Sequence, residues 1–362
     1  MRIFFLASNQ AFAWQFKRAF EGHTVRYYNP VPANLDPTGN LNAIMLGRLC
    51  QWADLIFCEF AQDPFQFALG LFLSKHIVVR VNRIEIYNDP IYYLDWNAVD
   101  LAIFSAEHVK QRFFEKLDAT NRNRGLVINR PMKSVVVPGN MYDPEQFRFV
   151  ERKFEKPYRI CIAGHLVPKK RQYTLVQMFA DLPPYFTLDI AGGPGMPGYG
   201  NPEYQQNVRD LIEILELQDR VRLVGAVPYA KMPEFYQSHD LIVSNSNEEG
   251  DALNVTEGMA TGCYPLINAW RGAAQHYGGR YVFKTPREFV SICEWWAELS
   301  VTNKRAYSLE ASRVVERFSI VPLSRIIREL VEEVASKDKE RALYDHTAEE
   351  DIFQGRNERI LE

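Results

Sequence analysis

The chain has 362 residues, 47% hydrophobic and 24% charged, which suits about two domains at roughly 150 residues each. That apolar share fills cores and excludes disorder as the main state. Lys+Arg 42 against Asp+Glu 45 gives a net charge of −3, which excludes a generally basic nucleic-acid coat, and no nucleic-acid partner is expected.

No apolar run reaches the ~18 to 20 residues that span a membrane. The N-terminal run from Ile3 to Ala7 is too short for a signal-peptide h-region and ends at Ser8, Asn9 and Gln10, so it reads as a first β-strand. Cys50, Cys58, Cys161, Cys263 and Cys293 are odd in number and none stands in C-x-x-C spacing. They read as reduced, mostly buried thiols of a cytoplasmic protein. The histidines form no H-E-x-x-H pattern, so no metal or other cofactor is expected.

In chain order the first half alternates strand and helix signals. Strands are expected at 2–7, 24–28, 54–60, 76–81, 101–105 and 134–137, with helical stretches to about residue 20 and at 41–52 and 65–74. Such alternation implies βαβ units and a parallel sheet. The pattern breaks at 144–157, where FRFVERKFEKP is charged, aperiodic and ends in proline; it reads as an interdomain linker. A second series follows, with strands at 159–163, 186–191, 221–224, 241–244 and 264–267 and helices at 172–180, 202–217, 231–238 and 254–261. The fold class is therefore α/β, two Rossmann-like halves, and the cleft between them beyond the strand C-termini is the natural site. The domains fall at 1–150 and 151–330. A charged, partly helical tail at 331–362 is expected to pack back on the N-terminal domain.

Gly193, Gly195 and Gly198 fit G-x-G-x-x-G, but Pro194, Pro197 and Gly200 resist the helix that a dinucleotide site needs. The run reads as a loop. A stronger signal is SNEEGDALNVTEGMATG, from Ser246 to Gly262, with Glu249 and Glu257 eight positions apart. Glu249 lies in a loop directly after a strand, and Glu257 lies about one turn into the next helix. The helix N-terminus suits a diphosphate, and Glu257 can accept two hydrogen bonds from a ribose diol. An ordinary strand-loop-helix with a capping acid is the competing reading. The stretch AGHLVPKKR, from Ala163 to Arg171, follows the first strand of the second half. Its glycine lets backbone approach a ligand, and Lys169, Lys170 and Arg171 place positive charge where phosphate oxygens would sit; a solvated basic turn is the alternative.

Together and in this order the two stretches resemble the retaining glycosyltransferases of family four, whose patterns are G-R-L-x-P-x-K-G and E-G-F-G-L-x-x-x-E-A-M-A-x-G-x-P-V-I. VVVPGNMYDPEQF (135–147), RVRLVGAVP (220–228) and AVDLAIFSAEHVK (98–110) look like further family segments, so the likeness covers residues 1–330. It implies the GT-B fold, in which two Rossmann-like domains face each other across a cleft. It implies an enzyme that moves a sugar, with retention and without a metal, from a nucleotide-diphosphate donor to a glycan, lipid-linked or other acceptor. Glu257 would then bind the ribose, Glu249 the transferring sugar, and Lys170, helped by Arg171, the diphosphate. Gly164, His165, Ser246, Gly250, Asp251, Ala252, Leu253, Asn254 and Val227 would complete the donor site, and Asn9, Gln10, Asn82 and Arg83 the acceptor or sugar side. The chain departs from the pattern at His165, where the family has Arg, at Asp251 and Ala252 for Phe and Gly, and at Asn82, where many members carry His. The alternatives are a sugar-nucleotide-processing enzyme of the same fold, such as a nonhydrolysing epimerase, and a catalytically lapsed sugar-nucleotide-binding protein.

Finally, residues 110–133 carry Lys110, Arg112, Lys116, Arg122, Arg124, Arg130 and Lys133 against Glu115 and Asp118, beside an exposed-looking Phe113–Phe114 pair. One reading is peripheral contact with an anionic membrane at the inner face; the other is a helix with a solvated basic face.

Overall fold

The computed structural model describes residues 1–7, 10–30, 34–36, 38–61, 65, 69, 75–125, 129–193 and 201–337. Among them, strands form two six-stranded sheets in which every pairing is parallel. The first contains β1 (Arg2–Ala7), β2 (Thr24–Tyr27), β3 (Leu55–Glu59), β4 (His76–Val81), β5 (Leu101–Phe104) and β6 (Lys133–Val136), in the order β2-β1-β3-β4-β5-β6. The second contains β7 (Tyr158–Ala163), β8 (Phe186–Ala191), β9 (Val221–Gly225), β10 (Leu241–Ser244), β11 (Tyr264–Asn268) and β12 (Val282–Phe283), in the order β12-β11-β10-β7-β8-β9. The central strands are near-continuous apolar runs, such as LIFCE and LIVS, because helices cover both faces of a parallel sheet.

Strand order reverses between β1 and β3 in the first sheet and between β7 and β10 in the second. At such a point the connections leaving neighbouring strands run to opposite faces, which opens a crevice at the strand C-termini. The chain crosses between domains near Gly139–Tyr142 and returns near Phe318–Ile320, where Ile320 N–H donates to the Tyr142 carbonyl at 2.9 Å. The returning helix Ile320–Ala335 belongs to the first domain's core: Leu323, Ile327, Val331 and Val334 pack with Ile3, Phe5, Leu101 and Ile103.

Segment 148–157 is not a free linker. Arg152 is buried and donates to the carbonyls of Thr261 (2.7 Å), Tyr236 (3.0 Å) and Val150 (3.0 Å), so it straps the chain onto the second domain. A guanidinium that donates to backbone carbonyls leaves no hydrophobic period for a sequence reading to find. The phenylalanine pair is not exposed either. Phe113 is fully buried, with ring centroids 4.7 Å from Trp96 and 5.1 Å from Phe104, and Phe114 is partly buried beneath the Arg130 guanidinium at 4.8 Å. Arg130 is paired with Asp118, Lys133 with Glu333, and Lys116 donates to the Ile86 carbonyl. No helix among the described residues is long and apolar enough to cross a membrane. All five cysteines are free and buried. The glycine run at 194–200 and most of the helix expected at 65–74 lie outside the described residues.

Ile327→Ala, at a side chain 1% exposed, should lower the unfolding free energy by about 2–5 kcal/mol, the usual cost of such a core truncation. Arg325→Ala, on the exposed face of the same helix, should stay within about 0.5 kcal/mol in the same urea titration.

Candidate functional site

Three pieces of chain converge where β7 and β10 part. The first leaves β7 through Gly164 and His165 and makes a tight turn at Pro168–Lys170. The second is the loop from Asn245 to Ala252 after β10, and the third is the helix Leu253–Ala260. Asn254 Nδ2 donates to the Ala163 carbonyl at 2.9 Å and so locks the start of that helix to the end of β7. Glycine is required beside them at Gly192, whose φ is +141° and where a Cβ would lie 1.9 Å from the Gly164 oxygen.

These pieces line a cavity of about 580 Å³. Gly164, His165, Lys170, Val227, Glu249, Asp251, Ala252, Leu253, Asn254 and Glu257 from the sequence reading are on its wall. Lys170 and Glu249, from different loops, form an ion pair. The Glu257 carboxylate accepts the hydroxyls of Tyr229 (2.9 Å) and Tyr236 (3.3 Å). Burial pushes Glu257 up to about 8, against the two hydroxyls, which lower it. Arg171 and Ser246 are not among the lining residues. Arg171 sits at positive φ before the helix Gln172–Ala180, where its carbonyl accepts Asn245 Nδ2, and the Ser246 carbonyl accepts Asn268 Nδ2.

Asp251 is the departure that the structure explains. Its carboxylate accepts the Asn140 N–H (2.9 Å) and the Tyr277 hydroxyl (3.2 Å) and lies 3.5 Å from His276 Nε2. Although burial alone would raise it, His276 and these donors hold it below the usual carboxylate range. Asn140 belongs to the crossover from the first domain, so this acid fastens the loop Asn245–Ala252 to that domain. His108 Nε2 reinforces the tie at 2.9 Å from the Glu249 carbonyl; a carbonyl only accepts, which places the imidazole proton on Nε2.

A second cavity of about 270 Å³ opens from the first domain and shares Asn140, Glu249 and Asp251 with the larger one. Asn82, Arg83 and Gly250 line it, as do Glu59 and Ser105. Gly250 abuts Arg83 so closely that a Cβ would lie 2.9 Å from Arg83 Cβ. Asn9 lies outside the described residues, and Gln10 opens the helical turn Gln10–Phe16. Sequence reasoning missed Asn140, Tyr229, Tyr236, Glu59 and Ser105. The last two end or follow apolar strands, and a polar residue closing a buried strand was the available signal.

Between the ordinary carboxylate value of 4.5 and about 8, folded Glu257 holds a proton that the unfolded chain has released. Its contribution to stability is therefore complete below 4.5 and is lost as pH rises through about 8. Melting temperature should fall from pH 5 to pH 8.5, and Glu257→Gln, which cannot ionise, should flatten that fall. An unchanged slope in the variant would exclude Glu257 as the titrating group.

Residues 143–285 match the family described as glycosyl transferases group 1. No curated protein sequence matches the chain. Among solved structures, Anabaena HepE in complex with UDP superposes with a TM-score of 0.72 at 16% identity, over 92% of this chain and 100% of that one. Sucrose-phosphate synthase from Thermosynechococcus elongatus gives a TM-score of 0.68 at 14% identity, over 92% of this chain and 99% of that one. The pneumococcal O-GlcNAc transferase GtfA, in complex with UDP and GlcNAc, gives 0.61 at 17% identity, over 82% of this chain and 60% of that one. Two parallel α/β sheets arranged as in these structures are the GT-B fold.

Proposed function

From a chain of GT-B fold whose residues 143–285 match glycosyl transferases group 1, we propose a retaining glycosyltransferase that takes its sugar from a UDP-sugar and passes it to a hydroxyl acceptor held by the first domain. The observation that carries this reading is the cavity of about 580 Å³ in which Glu257, Lys170, Glu249 and the N-terminus of the helix Leu253–Ala260 meet. UDP is chosen as nucleotide because the structures of Anabaena HepE and of GtfA contain it.

The chemistry follows from where charge develops. Breaking the bond from the sugar's anomeric carbon to the diphosphate leaves positive charge on the sugar and negative charge on the leaving oxygen. The Lys170 ammonium leaves Glu249 for the diphosphate, and the backbone N–H groups that open Leu253–Ala260 add a fixed positive end. The released Glu249 carboxylate then accepts sugar hydroxyls. At Glu257 the ribose diol replaces the hydroxyl of Tyr229, whose side chain is half-exposed. Attack from the face the diphosphate leaves lets a phosphate oxygen take the acceptor's proton and retains configuration. These cations also support a reaction without a metal.

Thermal shift against UDP, GDP, ADP, dTDP and CMP should show the largest stabilisation with UDP. Above about pH 8, where Glu257 is ionised, Glu257→Gln should weaken UDP by about 1.5–3 kcal/mol, the worth of a hydrogen bond to a charged group. Lys170→Ala should weaken UDP at least tenfold while leaving uridine almost unchanged, because only the diphosphate meets the ammonium. Equal losses for UDP and uridine in calorimetry would contradict the assignment.

A further inference from the structure

A third cavity, of about 390 Å³, opens between the two domains and shares no lining residue with the larger one. Ligand sites favour domain interfaces, and this volume falls within their ~300–1,000 Å³ range. The end of β5 with the start of the helix Glu107–Asn123 forms one wall. Gln275 and His276 of the second domain form another, and the returning chain from Arg317 to Ile326 forms the third. Val136 and Ile326 line it as large apolar side chains that are 37% and 38% exposed, and Pro138, Phe318 and Leu323 continue the apolar surface. Ser105 is 2% exposed and borders both this cavity and the smaller one, yet its Oγ has no hydrogen-bond partner. A buried hydroxyl left unpaired is costly, and native structures retain few.

The donors on this wall call for a negatively charged acceptor. The Arg317 guanidinium lies 4.6 Å from the Phe318 ring and donates to the His276 carbonyl, and among the described residues it has no ion-pair partner. The helix Glu107–Asn123 begins here with no side-chain cap at Ala106, so its first backbone N–H groups add a positive end. Glu107 limits the charge that fits. It is an acid on the wall, and its carboxylate accepts Gln111 Nε2 at 3.3 Å. One unpaired guanidinium beside one acid favours a monoanion over a phosphate dianion, and a carboxylate matches a guanidinium through two parallel hydrogen bonds. The apolar surface calls for an apolar body on that carboxylate. An occupant would also touch the two imidazoles that hold the loop Asn245–Ala252: His276 lies 3.5 Å from Asp251, and His108 Nε2 lies 2.9 Å from the Glu249 carbonyl.

We propose that this interdomain cavity binds a small apolar monocarboxylate, held by Arg317 and Ser105 at its acid end and by Val136, Leu323 and Ile326 along its body. The proposal goes beyond the glycosyltransferase reading and does not depend on it. Its test is methyl NMR on the full chain, titrated with hexanoate, benzoate and phenylacetate, each beside its amide, and with inorganic phosphate. At least one carboxylate should shift the Leu323 and Ile326 methyl signals. It should bind about tenfold more tightly than its amide, the difference that a charge-assisted hydrogen bond makes. Arg317→Gln should abolish that preference, and Ile326→Asp should weaken the acid. Both side chains are exposed enough for the variants to fold, and both variants should bind UDP as the unchanged chain does. Saturating UDP should leave the carboxylate in place, because the two cavities share no lining residue. The proposal is overturned by any of four results: no carboxylate binding, equal binding of acid and amide, tighter binding of phosphate, or an acid preference that survives Arg317→Gln. Displacement of the carboxylate by UDP would overturn it as well, by placing the probe in the larger cavity.

Discussion

The arrangement of the site depends on one buried carboxylate. Asp251 accepts from Asn140 of the crossover and from Tyr277 of the second domain, and it faces His276. An acid in that position is stable only because donors from both sides meet it, since a buried unpaired charge is very costly. The consequence is geometric. The loop that carries Glu249 is fixed relative to both domains, and the two cavities it separates share a wall.

The acids Glu249 and Glu257, which face the larger cavity, both have partners. Lys170 holds Glu249, and two tyrosine hydroxyls hold Glu257. These partners satisfy groups that would otherwise be desolvated without compensation, and in the proposed function each is exchanged for a ligand group of matching chemistry: phosphate oxygens for Lys170, sugar hydroxyls for Glu249, a ribose diol for Glu257. Net affinity is therefore a difference between two sets of hydrogen bonds, which keeps binding reversible. Placing the exchange at a strand-order reversal explains why residues far apart in sequence, such as Lys170 and Glu249, come within reach.

The strands were largely legible because a parallel sheet covered on both faces is written as short, fully apolar runs. β1, β4, β8 and β10 lie where the runs RIFFLA, HIVVRV, FTLDIA and LIVS stand. That Gly164 to Lys170 and Glu249 to Glu257 share one cavity was legible in part, because their types and spacing on a strand-loop-helix suit a common site. Segment 144–157, read as a linker, does lie between the two sheets; what its sequence did not show is that Arg152 straps it onto the second domain, since a buried arginine that donates to carbonyls has no hydrophobic period. The exposed-looking phenylalanines were misread because burial on the helix Glu107–Asn123 depends on Trp96 and Phe104, which only the fold brings there. Of the helices after β11 the sequence suggested only a partly helical tail from 331 that packs back on the N-terminal domain; the last helix begins earlier, at Ile320, and Ile320–Ala335 completes the core of the domain at the other end of the chain.

By itself the sequence determined the alternation of apolar strands and amphipathic helices, and the local chemistry of Gly164 to Lys170 and of Ser246 to Glu257. Hydrophobic period and motif spacing are properties of neighbouring residues, so they survive without coordinates. Only the tertiary structure decided which acids are partnered, which of the two cavities each of Lys169 and Lys170 faces, and that Asp251 binds the two domains together. Those outcomes depend on contacts between residues far apart in sequence, from Tyr229 with Glu257 to Asn140 with Asp251 and His108 with Glu249, and on the loss of water around them. Burial and long-range pairing set the charge state and direction of each group, and neither is encoded in local spacing.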